Sequence, residues 1–199
     1  MILPLDNLVR SLARLPGLGR RSAERAALAL VRRPEQLLDE LSAALATARE
    51  RVRCCDVCGG FTTTDANPCA LCTGPGRDTG IICVVEEPGD ILAIERSGGF
   101  CGRYHALQGK LSPARMTGPA ELRIQTLLDR VQAEGVREVV LALSTDLDGD
   151  TTAGYLAERL RAYGVQVTRL AFGLPADSGV GYSDPLTLKR ALGGRQEVP

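Results

Sequence analysis

Four cysteines carry the clearest chemistry in this chain. Cys55, Cys58, Cys69 and Cys72 follow the pattern C-x2-C-x10-C-x2-C. Each C-x-x-C pair turns two thiolates toward one ion from a tight knuckle, and Gly59 supports the first turn. Two knuckles supply four sulfurs in a tetrahedron, the closed arrangement of a structural Zn2+ site. Four protein ligands leave no open coordination position, so metal catalysis at this site is not expected. Buried free thiols and tetrahedral iron are the competing readings; two pairs ten residues apart disfavour the first, and the absence of other redox signatures disfavours the second. Cys54 adjoins a ligand, but the symmetric spacing favours Cys55. Cys83 and Cys101 read as incidental thiols.

A second chemistry lies near the N-terminus, in Leu15-Pro16-Gly17-Leu18-Gly19-Arg20-Arg21-Ser22-Ala23. Gly17 and Gly19 permit a tight turn and a close backbone approach to a ligand. A helix begins there, so free N–H groups and the positive end of its dipole face outward. Arg20, Arg21 and Arg25 add full charges. This combination suits a DNA phosphate contacted without reading sequence, as in a helix-hairpin-helix. A plain connector between packed helices is the alternative. A dinucleotide fingerprint is excluded, because a helix and not a strand precedes the glycines.

The third candidate is acidic. Glu86 and Glu87 end one apolar run, and Asp146, Asp148 and Asp150 follow another. Carboxylates gathered at the carboxyl ends of parallel strands repel one another, which favours a hard cation such as Mg2+. The alternative is a solvated turn in which Asp150 caps a helix starting at Thr151. An EF-hand fails at Thr151 and Ala157, and a P-loop fails at Leu111. His105, the single histidine, has no evident nucleophile beside it.

These groups need elements to position them. Residues 6–15, 20–33 and 34–52 read as helices, the last opening on Pro34 and presenting Leu37, Leu38, Leu41, Leu45, Ala48 and Val52 on one face. A Gly/Pro linker at 73–79 follows the cysteine segment. From there the period changes. Ile81–Val85, Val136–Leu143 and Val165–Ala171 read as buried strands, with Arg103–Gln108 as a further one. Helices at 88–96, 119–134 and 151–163 alternate with them, and one more is expected at 185–192. That alternation implies a parallel, three-layer α/β sheet. The domains are thus residues 1–53, helical and DNA-binding; 54–72, the zinc finger; 79–172, the α/β unit; and 173–199, a tail.

Composition bounds what such a protein does. The chain has 199 residues, seven cysteines and a formal net charge of +0. No apolar run is long enough to span a membrane and no secretion signal is evident, so a cytoplasmic location is expected. Five cysteines between residues 54 and 72 then point to metal and not to disulfides. Residues 1–33 hold seven arginines against Asp6 and Glu24. A basic end on a neutral protein points to a localised anionic partner.

Taken in order, these features resemble the bacterial RecR family of recombination mediators. The resemblance covers nearly the whole chain. It rests on Leu15-Pro16-Gly17-Leu18-Gly19, the four cysteines, Ile82-Cys83-Val84-Val85-Glu86-Glu87-Pro88-Gly89-Asp90-Ile91, Gly102-Arg103-Tyr104-His105, Leu111-Ser112-Pro113, Phe172-Gly173-Leu174-Pro175 and Leu192-Gly193-Gly194-Arg195. It implies a Toprim α/β domain whose glutamate is Glu86 and whose second acidic motif falls on Ser144-Thr145-Asp146-Leu147-Asp148-Gly149-Asp150. In that register Asp148 and Asp150 replace glutamates, and Ser144 stands where the first aspartate would be. The resemblance further implies a non-catalytic role in recombinational repair. Such proteins act with RecO and RecF to load RecA on single-stranded DNA. They assemble into ring-like oligomers, here expected to be a tetramer, that clamp DNA through the N-terminal helices and the tail. The alternatives are a Mg2+-dependent Toprim nuclease or primase-like enzyme, and an adaptor whose acidic edge docks a basic protein. The zinc segment is expected to act as a rigid joint, and its chelation to unfold residues 54–72 before the α/β core is touched.

Overall fold

The computed structural model describes residues 3–171, 174 and 179–195. The chain divides into two compact units, Met1–Arg53 and Cys54–Pro199.

The first unit holds helices α1 (Leu3–Leu12) and α2 (Arg20–Arg32), a π-helical turn at Pro34–Leu38, and α3 (Asp39–Arg51). Helix α1 stops three residues short of the expected end. Pro16 disfavours helical geometry at Leu15, so the chain has left the helix before it. Val9 of α1 packs on Ala23 and Ala27 of α2, with Leu5, Leu8, Leu12, Ala13 and Leu18 around them. The small alanines let the two backbones approach closely. The apolar face expected on the third helix has the right period but is not covered. None of α3 is buried, and Leu45 is 62% and Val52 50% exposed. Periodicity identifies an amphipathic helix without saying what covers its apolar side.

The short strand β1 (Val52–Cys54) ends on the first residue of the second unit, which continues with a second short strand, β2 (Phe61–Thr63), and one helical turn, α4 (Ala70–Thr73). There follow β3 (Asp78–Val85), α5 (Pro88–Ser97), β4 (Gly102–Ala106), α6 (Ile124–Glu134), β5 (Glu138–Ala142), α7 (Leu147–Arg161), β6 (Gln166–Arg169) and α8 (Pro185–Gly193). The four later strands form a sheet in the order β4-β3-β5-β6, and every pair in it is parallel. Strand alternation sends Ile82, Val84, Val139 and Leu141 to one face, where Leu127, Leu128 and Val131 of α6 and Leu156 and Leu160 of α7 cover them. Cys83, Val85, Tyr104 and Ala106 face the other way, onto Ile91 and Ile94 of α5. The three-layer parallel α/β arrangement is therefore present.

Two boundaries matter for the site. Helix α6 is preceded by a separate 3-10 turn at Pro119–Glu121, so the expected 119–134 helix is broken at Leu122–Arg123. Helix α7 starts at Leu147 and not at Thr151. Its N-cap is Asp146, which accepts the Gly149 N–H at 2.8 Å. Asp148 and Asp150 thus lie in the first turn, where their charge favours the helix dipole. The alternative in which Asp150 caps a helix starting at Thr151 is therefore not what forms. Of the tail residues quoted above, Phe172, Gly173 and Pro175 lie outside the described residues.

Candidate functional site: a four-cysteine centre, a basic hairpin and an acidic edge

The four cysteine sulfurs meet. The Sγ atoms of Cys55, Cys58, Cys69 and Cys72 all lie within 4.8 Å of one another, and all four residues are buried. Individual separations are 3.5 Å for Cys58–Cys69, 3.7 Å for Cys69–Cys72 and 4.0 Å for Cys55–Cys72. A tetrahedron with metal–sulfur bonds of ~2.3 Å has edges of ~3.8 Å, so the donor set fits such an ion. Cys54 is half-buried and outside the group.

Local sequence explains the convergence. Gly59 has φ of +73°, which closes the first knuckle through Gly59 N–H to Cys55 C=O at 2.8 Å. The second knuckle turns through Cys72 N–H to Cys69 C=O at 2.9 Å. Backbone N–H groups also point at sulfur, Gly60 to Cys58 and Cys69 to Cys55, each at 3.3 Å. Backbone N–H groups aimed at sulfur in this way stabilise thiolates. Three of the thiols differ in how firmly they hold a proton. Hydrogen bonding from Cys72 is the main cause that pulls Cys58 down, to about 5. Burial pushes Cys69 up to about 11, and hydrogen bonding to Cys58 followed by burial pushes Cys72 up. A divalent cation is what lets all four ionise together.

The first knuckle is fastened to the α/β sheet by residues that the spacing did not point to. Ala106 N–H, at the end of β4, donates to Cys58 C=O at 2.7 Å. Arg123 Nη2 donates to Asp56 C=O at 2.8 Å and to Val57 C=O at 3.1 Å. A side chain at Gly59 would meet Ala106 O at 2.9 Å and Arg123 Nε at 3.0 Å. Arg123 is in turn held by His105, whose Nε2 lies 2.8 Å from Arg123 C=O. Arg130 Nη1 donates to Tyr104 C=O at 2.8 Å and reaches His105 Nδ1 at 3.3 Å. Arginine only donates, so Nδ1 accepts and Nε2 carries the proton. His105 is therefore a neutral structural group. These contacts join residues from 18 to 67 positions apart, and no sequence spacing signals them.

The hairpin lies within the first unit. Gly17 has φ of +78°, and Leu18 N–H bonds Leu15 C=O at 3.1 Å across the turn. Gly19 is the N-cap of α2 and offers no side-chain acceptor. The first N–H groups of α2 thus keep their bonding capacity outward. Gly17, Gly19, Arg20, Arg21 and Arg25 are all exposed.

The acidic edge departs from the expected cluster. Parallel pairing of Val85 with Ala142 brings the residues after β3 and β5 side by side. Glu86 and Asp146 do come close, but they bracket Lys110. The ammonium lies 3.5 Å from Glu86 Oε2 and also pairs with Asp146 Oδ2. Its hydrogen bond, followed by that of Gly149 N–H, holds the Asp146 carboxyl down, at about 2. Asp150 pairs with Arg169 at 2.7 Å and Arg190 at 3.2 Å. Asp148 is half-buried and its backbone C=O accepts the Thr152 hydroxyl. Glu87 caps α5 in a reciprocal box with Asp90. The expected gathering of carboxylates around one cation is not what forms; among the described residues, the cysteines are the group able to hold an ion. Helix N-termini and neighbouring cations engage these carboxylates instead.

A basic hairpin, a four-cysteine knuckle pair and a Toprim-type sheet define a class of DNA-associated proteins. Residues 5–49 match the family described as RecR, helix-hairpin-helix, and residues 80–171 match the Toprim domain. The chain is 48% identical to the recombination protein RecR of Desulforudis audaxviator, over 98% of this chain and 97% of that protein. It is 50% identical to that of Hyphomonas neptunium, over 98% and 96%, and 45% identical to that of Moorella thermoacetica, over 98% and 97%. The chain belongs to the RecR family of recombination proteins. No helix among its described residues is long and apolar enough to cross a membrane.

Proposed function

We propose that this protein is a non-catalytic mediator of recombinational DNA repair. It binds DNA as an oligomeric clamp, in the cytoplasm, and acts with RecO and RecF to help load RecA on single-stranded DNA at gaps. The observation that carries the DNA reading is the hairpin. Gly17 turns it, Gly19 leaves the α2 N-terminus uncapped, and Arg20, Arg21 and Arg25 stand exposed around that end. N–H donors and guanidinium groups together match phosphate oxygens and carry no base readout. Self-assembly is supported by the uncovered apolar face of the third helix, where Leu41 and Leu45 are exposed; a second copy is its proposed occupant. Four soft sulfurs at tetrahedral spacing support Zn2+ as the ion of the cysteine centre, in a structural role.

The test is a salt titration of binding to labelled single- and double-stranded DNA. Arg21→Glu with Arg25→Glu is expected to weaken binding on all sequences alike. The slope of log affinity against log salt should become shallower by about one for each lost phosphate contact. Unchanged affinity would make the hairpin a connector. Cleavage of the DNA by pure protein with Mg2+ or Mn2+, lost in Glu86→Gln, would replace this reading with a Toprim nuclease.

A further inference from the structure

The carboxyl ends of β3 and β5 are where a Toprim sheet offers carboxylates to a divalent cation, and here that space holds an amine. Lys110 Nζ lies 3.5 Å from Glu86 Oε2 and 3.0 Å from Ser144 Oγ, and bonds Asp146 Oδ2. The other oxygens are engaged as well. Glu86 Oε1 accepts Ser144 N–H at 2.7 Å. Asp146 Oδ1 accepts Gly149 N–H at 2.8 Å and meets Ser144 Oγ at 3.0 Å. Asp150, one turn further along α7 than the Asp146 cap and two residues beyond Asp148, is bridged by Arg169 and Arg190. The side chains of Lys110 and Glu86 are only 17% and 15% exposed, so their pairing is sheltered from water.

Mg2+ needs several free oxygen lone pairs at ~2.1 Å and tolerates little deviation. An ammonium already among those oxygens repels a dication at close range, and its donors engage one oxygen each of Glu86 and Asp146 and the Ser144 hydroxyl. The residues present therefore do not fit Mg2+. We infer that Lys110 is a built-in counter-ion that takes the place of the divalent cation at this edge, so that the acidic edge holds its shape without metal. The inference is independent of whether the chain binds DNA, because it concerns only how Glu86 and Asp146 are neutralised.

The experiment compares zinc-loaded wild type with Lys110→Met at matched ionic strength, in MnCl2 or in NaCl, by thermal melting and titration calorimetry. Wild type is expected to show no saturable Mn2+ binding and no Mn2+-specific shift. Lys110→Met leaves two uncompensated carboxylates and should melt lower in NaCl. It should recover about 3–5 °C in ~10 mM Mn2+, as site binding of millimolar affinity would give in a chain of this size. Adding Glu86→Gln to Lys110→Met should abolish that recovery. Saturable Mn2+ binding by wild type that disappears in Glu86→Gln would overturn the inference, as would a folded Lys110→Met protein that gains no Mn2+ response. If Lys110→Met does not fold, wild type against Glu86→Gln decides: saturable binding lost in the variant overturns the inference, and its absence from wild type supports it.

Discussion

His105 shows how one buried side chain ties stability to pH. Its imidazole is enclosed, and burial, with the Arg130 and Arg123 charges adding to it, depresses its pKa to about 3 from an ordinary 6.5. In the unfolded chain it protonates near 6.5, whereas in the fold it stays neutral far below that. Between these values the unfolded state binds the extra proton, so stability is fully present above about 6.5 and is lost as pH falls toward 3. The expected slope is at most about 1.4 kcal/mol per pH unit. Urea denaturation at a series of pH values should show it, and His105→Gln should flatten the profile between pH ~6 and ~4, where carboxylates contribute less. A variant profile parallel to wild type would show that other groups carry the dependence. Arg130 shares this role, since its charge faces Nδ1.

The cysteine knuckles are the element that most depends on something other than its own core. Residues 54–72 bury their cysteines and little else, with Val57 and Leu71 packed alongside. Metal binding therefore contributes folding energy directly. Removing a bound ion is expected to open the knuckles, and the contacts with Ala106 and Arg123 carry that loss further than the cysteine segment alone. Hydrogen exchange before and after chelation should show lost protection in 54–74, at Ala106 and in 107–123. Strand β5 and helix α7, which rest on the main core, should stay protected. Exchange confined to 54–74 would mean that the knuckle is a passenger on the sheet.

For the whole molecule, the open question of assembly rests on the third helix. Leu45 is 62% exposed, so its replacement removes nothing from the core of the single chain. Leu45→Glu is expected to change the chain's stability by no more than ~0.5 kcal/mol. It should nevertheless reduce the assembled mass seen by light scattering, because a charge in a buried apolar interface is costly. An unchanged mass would move the contact elsewhere.

The sequence by itself determined what depends on short range. The C-x-x-C spacing made the knuckles, Gly17 and Gly19 made the hairpin, and strand and helix periods gave the parallel three-layer sheet. Each of these is set by residues within a turn or two of one another, where backbone geometry decides. Helix limits were less legible. Asp146 and Asp150 have the same capping chemistry, and only the position of Gly149 N–H selected Asp146. Tertiary structure alone decided which charges meet. Lys110 reaches Glu86 and Asp146, Arg169 and Arg190 reach Asp150, and Arg123 reaches the first knuckle across 66 residues. Electrostatic pairing acts through space and carries no periodicity. Three of the carboxylates that read as a cation site in sequence, Glu86, Asp146 and Asp150, are thus paired in the fold with the chain's own lysine and arginines.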